Sequence, residues 1–154
     1  LDARQPLEIS LQRFDANPNP IRKYIPRPSV YAILPMKGGV LATFQAGIHN
    51  EYQLPGGGID LGEQPIQALH REVLEETGWR INRPLLFFRF RRFVYMPEYE
   101  LWAEKICTIY KATPVARCSS LREENHYPVV LSVQKAIKLL AVSGDRHAVS
   151  LFFK

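Results

Sequence analysis

Residues 57–79 read GGIDLGEQPIQALHREVLEETGW, and this stretch decides how the chain is read. Glycines open it, Pro65 stands where a helix would begin, and Gly78 stands where that helix would end. Proline suits a first helical turn because its missing N–H has no intrahelical partner there. Glycine closes a helix because it takes the left-handed conformation without a Cβ clash. The stretch therefore reads as a loop followed by a helix over 65–77.

On such a helix Glu76 lies roughly 40° to one side of Glu72, and Glu75 roughly 60° to the other. Three carboxylates then share one arc. Ile66, Leu69 and Val73 form an apolar stripe roughly 100° round from Glu72. The acids border the core side of the helix, with Glu76 expected to be the most sheltered and Glu75 the most exposed. Like charges this close raise one another's pKa, a penalty that a bound divalent cation removes. Oxygen donors favour a hard ion, Mg²⁺, with Mn²⁺ as a substitute. Arg71 precedes Glu75 by one turn and can pair with it. Gly56, Gly57 and Gly58 let the backbone approach a ligand and turn its polar groups toward metal or phosphate. A bare acidic helix face is usually just solvated. The glycine loop, Glu63 and Arg71 set this one apart.

Working outward, residues 7–11 alternate as a half-buried strand, and prolines between 17 and 28 mark an arm. Residues 30–34 and 40–44 are apolar runs read as a hairpin through 36–39. Residues 52–54 form a brief strand leading into the glycines. Residues 85–95 and 101–113 read as longer strands joined at 96–99, and 114–128 as loop. A helix over 132–142 ends at Gly144, with a last helical turn or a strand over 147–153.

In Phe88-Arg89-Phe90-Arg91-Arg92-Phe93, alternation puts Phe88 and Phe90 on one face and Arg89 and Arg91 on the other. This reads first as an ordinary sheet strand with one wet face, the functional alternative being arginines that hold phosphates and an aromatic that stacks a base. Phe44, Tyr52, Tyr95, Tyr99 and Trp102 are read first as core aromatics, with a base pocket as the functional alternative.

The chain has 154 residues, 46% hydrophobic and 23% charged, which suits one globular domain over 1–154, with 1–28 as its N-terminal strand and arm. No apolar run is long enough to span a bilayer. The chain begins at Leu1 rather than methionine, which leaves its natural N-terminus and any targeting segment open. Cys107 and Cys118 have neither metal-ligand spacing nor disulfide density, so a reducing, cytoplasmic setting is expected. The net charge of +5 suits an anionic ligand without identifying one.

The stretch resembles the Nudix box, G-x5-E-x7-R-E-U-x-E-E-x-G-U with U a bulky aliphatic residue. The matching positions are Gly57, Glu63, Arg71, Glu72, Val73, Glu75, Glu76 and Gly78, and the one departure is Trp79 at the last U. The resemblance implies an α/β/α sandwich with a mixed sheet, carrying the box as a loop-helix-loop. It implies hydrolysis of a diphosphate linkage in a nucleotide or nucleoside-diphosphate derivative, by water attack on phosphorus. Glu72, Glu75 and Glu76 become metal ligands, with the Gly56 carbonyl as a further one, and Glu72 is a candidate for activating water. Arg71 orients the carboxylates and Glu63 supports the site. Family members place a further glutamate beyond the box, where this chain has Glu123 and Glu124 beside His126, a lone loop histidine read as structural or solvent-facing. The arginine that many members carry after the strand before the box is absent, because 43–45 read Thr-Phe-Gln. Tyr95 and Pro97 stand near positions that subfamilies use, without selecting a substrate. The alternatives are an RNA 5′-pyrophosphohydrolase, which needs a basic channel that Arg89, Arg91 and Arg92 would supply, and a noncatalytic nucleotide-binding module. A homodimer is left open.

Overall fold

The structure, a computed structural model, describes residues 11–118 and 123–154. Of the strand expected at 7–11, only Leu11 lies within them. In chain order the elements are β1 (Gln12–Arg13), β2 (Ile25–Ile33), β3 (Pro35–Met36), β4 (Gly39–Gln45), β5 (Glu51–Gln53), β6 (Gly56–Gly58), α1 (Pro65–Thr77), β7 (Trp79–Met96), β8 (Leu101–Arg117), β9 (His126–Leu131), α2 (Val133–Leu139) and α3 (Ser143–Phe152).

The centre of the fold is β2, whose Val30 to Leu34 run is buried on both faces. Val30, Ala32 and Leu34 pack with Ala68, Leu69 and Val73 of α1. Tyr31 and Ile33 point the other way, into a cluster with Phe90, Ile109 and Ala136, Leu140, Ala148 and Val149 of the C-terminal helical segment. A strand covered on both faces reads as an unbroken apolar run instead of an alternating one. Each such buried aliphatic side chain contributes roughly 1.5–3 kcal/mol relative to exposure. The expected α/β/α sandwich follows from this two-sided burial.

The sheet layer is split in two. Five strands run in the order β1-β7-β8-β2-β6, mixed because β2 is parallel to β8 and β1 to β7. In the second sheet β4 pairs antiparallel with β3, β5 and β9. The hairpin expected between 30–34 and 40–44 is therefore shorter than read. Only Pro35 and Met36 pair with Gly39 and Val40, while β2 belongs to the other sheet. Pro35, with no N–H to continue a ladder, stands where the chain changes sheets.

Helix α1 spans the expected residues and ends at Gly78, with φ +75°. Ile66 shares the apolar face yet lies in the first turn and is 38% exposed; Ala68 is buried instead. The loop read over 114–128 yields to strand at both ends. β8 continues to Arg117, and β9 begins at His126 and pairs along β4 from Gln45 to Val40. Pro128 hides this strand from a sequence reading, but β9 is an edge strand, where a missing N–H is tolerated. Gly144 does not end a helix. It lies in the first turn of α3, where a Cβ would come 2.4 Å from the Phe90 ring. Among the described residues no helix is long and apolar enough to cross a membrane.

Candidate functional site

Strand β6 runs antiparallel to β2, with Gly56, Gly57 and Gly58 opposite Tyr31, Val30 and Ser29. This brings the glycines against the acidic arc of α1. The Gly56 N–H donates to Glu76 Oε2 at 3.2 Å. A Cβ on Gly57 would lie 2.7 Å from the Glu72 carboxylate, so only glycine leaves that carboxylate its place. Gly58 has open space at the same position.

Arg71 holds the loop and the helix together. Its guanidinium forks onto Glu63, with Nε to Oε2 at 2.8 Å and Nη2 to Oε1 at 2.9 Å. Nη1 donates to Glu72 at 3.0 Å and to Glu75 at 3.3 Å, and Nη2 to the Gly58 carbonyl at 3.2 Å. The expected pairing with Glu75 is present, but the two-pronged bond to Glu63 is the shorter one. Bidentate arginine–carboxylate pairs fix orientation as well as supply attraction. Hydrogen bonds from Arg71, then from the Asp60 backbone, hold Glu63 down to about 2. Glu63 therefore stays ionised and keeps Arg71 in place.

The three box acids differ as their helical positions predict. Glu76 is 4% exposed, while the Glu75 side chain is 43% exposed. Burial, reinforced by the charges of Glu123 and Glu75, lifts Glu72 to about 6 against the opposing pull of Arg71. Burial also drives Glu76 well above the carboxylate range, with Glu72, Glu123 and Glu75 adding repulsion. A buried anion surrounded by like charges is costly unless a cation joins it.

Glu123 comes from beyond β8 and completes two overlapping groups. Glu76, Glu123 and His126 bring ligand atoms within 4.8 Å of one another, and so do Glu72, Glu75 and Glu123. The Glu123 N–H donates to the Glu75 carbonyl, which docks this loop on α1. His126 Nε2 lies 3.7 Å from Glu76 and Nδ1 lies 3.9 Å from Glu123. Glu124 is exposed and its side chain is in neither group; its carbonyl lies 3.2 Å from His126 Nδ1. His126 was the weaker reading, because a lone loop histidine is usually structural. Its site becomes visible only when β9 pairs with β4. The all-carboxylate group Glu72, Glu75 and Glu123 fits a hard divalent ion, while the group with His126 adds one imidazole nitrogen to two carboxylates.

Glu72, Glu76 and Glu123 form an acidic wall of a cavity of about 290 Å³. Arg92, Lys105 and Tyr31 form a basic wall of the same cavity, which Tyr95 and Tyr99 also line. Arg92 continues the face of Phe90 and turns inward, so the basic segment is not wholly a wet face. Arg89 is exposed, and Arg91 lies 3.9 Å from Glu104. Of the other aromatics considered for a base pocket, Phe44 and Tyr52 pack edge-on at 5.1 Å, and Trp102 packs against Tyr95. Past Gly58 and Lys105 lies a second cavity of about 470 Å³, lined by Arg27, Ile59, Leu61 and Tyr99 among others.

A family model described as the NUDIX domain matches residues 24–149. An RNA pyrophosphohydrolase of Helicobacter pylori (strain G27) is 45% identical over 62 residues, covering 37% of this chain and 39% of that protein. Another from Acinetobacter baylyi is 46% identical over 52 residues, covering 34% and 31%. The chain thus matches less than half the length of these relatives. Among solved structures, a Nudix hydrolase from Nitrosomonas europaea superposes with TM-score 0.70 at 17% identity, over 84% of this chain and 89% of that one. A MutT protein from Methanosarcina mazei Go1 gives 0.66 at 22% identity, over 85% and 95%. With the family model matching most of its length, the chain belongs to the Nudix domain family, the hydrolase family of these relatives and neighbours.

Proposed function

We propose that this protein is a Mg²⁺-dependent pyrophosphohydrolase, with Mn²⁺ as an alternative ion, acting on a nucleotide or nucleoside-diphosphate derivative in the cytoplasm. The observation that carries the reading is the pair of carboxylate groups sharing Glu123, closed over the buried Glu76. Glu72, Glu75, Glu76 and Glu123 hold the ion, with the Gly56 carbonyl beside them. A bound divalent ion neutralises charge developing on the phosphates and lowers the pKa of coordinated water. Glu72 or Glu123 takes the proton from the attacking water. Arg71 positions Glu72 and Glu75, and Glu63 keeps Arg71 from turning away. Glu124 contributes through its carbonyl, which faces His126. The second cavity is of a size to receive the group linked to the diphosphate.

A second reading, removal of pyrophosphate from the 5′ end of RNA, draws on the activity in the relatives' names. The deciding experiment is a screen for Mg²⁺-dependent release of phosphate or pyrophosphate. It includes nucleoside triphosphates, dinucleoside polyphosphates, nucleoside-diphosphate conjugates and a 5′-triphosphorylated RNA, with Glu75→Gln and Glu76→Gln as controls. Turnover of small nucleotides lost in both controls supports the main reading. Turnover confined to the RNA supports the second. Tight nucleotide binding without turnover means a binding module, and activity surviving both substitutions overturns the site.

A further inference from the structure

Arg92 and Lys105 stand opposite each other on the antiparallel pair β7 and β8, and both line the cavity that holds Glu72 and Glu76. Lys105 Nζ donates to Tyr31 Oη at 3.0 Å. Arg92 Nε is buried and has no hydrogen-bond partner. Neither cation forms an ion pair with a carboxylate among the described residues. Like charges directly across a strand pair repel, and partial burial strengthens the repulsion. Two acids interact with them electrostatically without pairing: Glu98, which lines the same cavity and feels Lys105, and Asp145, fully buried in the first turn of α3, which feels both. Burial lifts the Asp145 carboxyl to about 7, so at neutral pH it offsets only part of the positive charge. Two half-buried cations, one with an unused donor, are left facing an open polar cavity. Neither has a carboxylate within ion-pair distance among the described residues, so the wall has donors left for a bound anion.

We propose that Arg92 and Lys105 are a binding clamp for a second phosphate, so that the cavity takes two linked phosphates at once, one against each wall. The inference rests on the reading of the acidic wall as the metal site and adds what that reading leaves undetermined, namely which residues hold the neighbouring phosphate. The acids with their ion take the phosphorus to be attacked. The cations take the phosphate beside it. A monophosphate has one phosphate to offer and a diphosphate one for each wall, so selection for diphosphates needs no recognition of the attached group.

The test uses methylenediphosphonate, a diphosphate analogue whose bridge resists hydrolysis, titrated calorimetrically in the presence of Mn²⁺. Charge-assisted hydrogen bonds contribute enough that Arg92→Met and Lys105→Met should each weaken binding about 10- to 100-fold. Arg92→Lys, which keeps the charge, should recover part of it. Mn²⁺ binding measured by itself should be the same in wild type and variants, and circular dichroism should report the same fold. Unchanged methylenediphosphonate affinity in folded Met variants with intact Mn²⁺ binding overturns the clamp while leaving the acidic wall standing. Failure of the wild type to bind Mn²⁺ overturns the metal reading instead. If Arg92→Met does not fold, Lys105→Met and Arg92→Lys carry the comparison.

Discussion

The acidic and basic walls of the cavity are encoded in different ways. Arg71, Glu72, Glu75 and Glu76 stand within six residues on one helix, and the helical repeat alone brings them together. Arg92, Lys105 and Tyr31 are far apart in the chain and meet through strand register, Arg92 opposite Lys105 and Tyr31 opposite Gly56. Local spacing writes the helical part of the first wall into the sequence, and Glu123 joins it from beyond β8. The second exists only once β2, β6, β7 and β8 have paired. The proposed chemistry divides along the same line, with the acids assigned to a cation and the bases to the phosphate beside it.

Substitution of Glu72 should separate the walls most sharply. Glu72→Gln keeps the Arg71 hydrogen bond but removes a charge from the shared acidic group, and turnover should fall about 10²- to 10⁴-fold. The rise in unfolding temperature on adding Mn²⁺ should shrink with it, whereas Arg92→Met should retain that rise. Metal must displace protons from acids whose pKa values are raised, so the wild-type rise should be larger at pH 8 than at pH 5. Loss of the Mn²⁺ effect in Arg92→Met as well would mean that the walls act as one unit.

A smaller effect is expected at the glycines, which lie where the walls meet. Gly57→Ala puts a Cβ 2.7 Å from the Glu72 carboxylate, and a displacement of about 1 Å is worth roughly 10²-fold in rate. Gly58→Ala meets nothing within 4 Å and should leave activity close to wild type. Parallel kinetics on the two variants check this. Equal losses would show that the loop needs glycine for its backbone conformation instead of for the approach of Glu72.

How much could be read in advance follows the same division. Helix α1, its glycine end and the graded burial of Glu75 and Glu76 were all legible, because each depends on residues close in sequence; the place of residues 30–34 between two layers was not, since it depends on pairing with β8 and β6. Strand β9 was not, since Pro128 masks it and only its place at the edge of a sheet makes that proline acceptable. His126 was underrated for the same reason. It reaches Glu76 and Glu123 because β9 begins beside the end of β4. Arg92 was read only with Arg89 and Arg91, as part of a basic channel for RNA. Alternation does put it on the side of Phe90, but the sequence does not reveal that the core ends there and a cavity begins.

The smallest expected effect concerns Asp145, and it bears on whether the basic wall is uncompensated. Its carboxyl is fully buried, with Oδ1 lacking a partner, and burial raises it from 3.8 to about 7 although Arg92, Lys105 and Arg146 pull it down. The unfolded chain releases this proton near pH 4, whereas the folded protein keeps it until about pH 7. The folded state thus binds more protons in that window, and this group's contribution to stability is full below pH 4 and lost as pH rises toward 7. Asp145→Asn cannot ionise and should not show that loss. Denaturant unfolding at pH 4 and pH 8 should therefore give the variant a smaller drop than wild type, by on the order of 3 kcal/mol. The opposite result, a larger drop in the variant, would mean that Asp145 is ionised and paired with Arg92 and Lys105 in the folded protein. The basic wall would then already have its anion, and its contrast with the acidic wall would disappear.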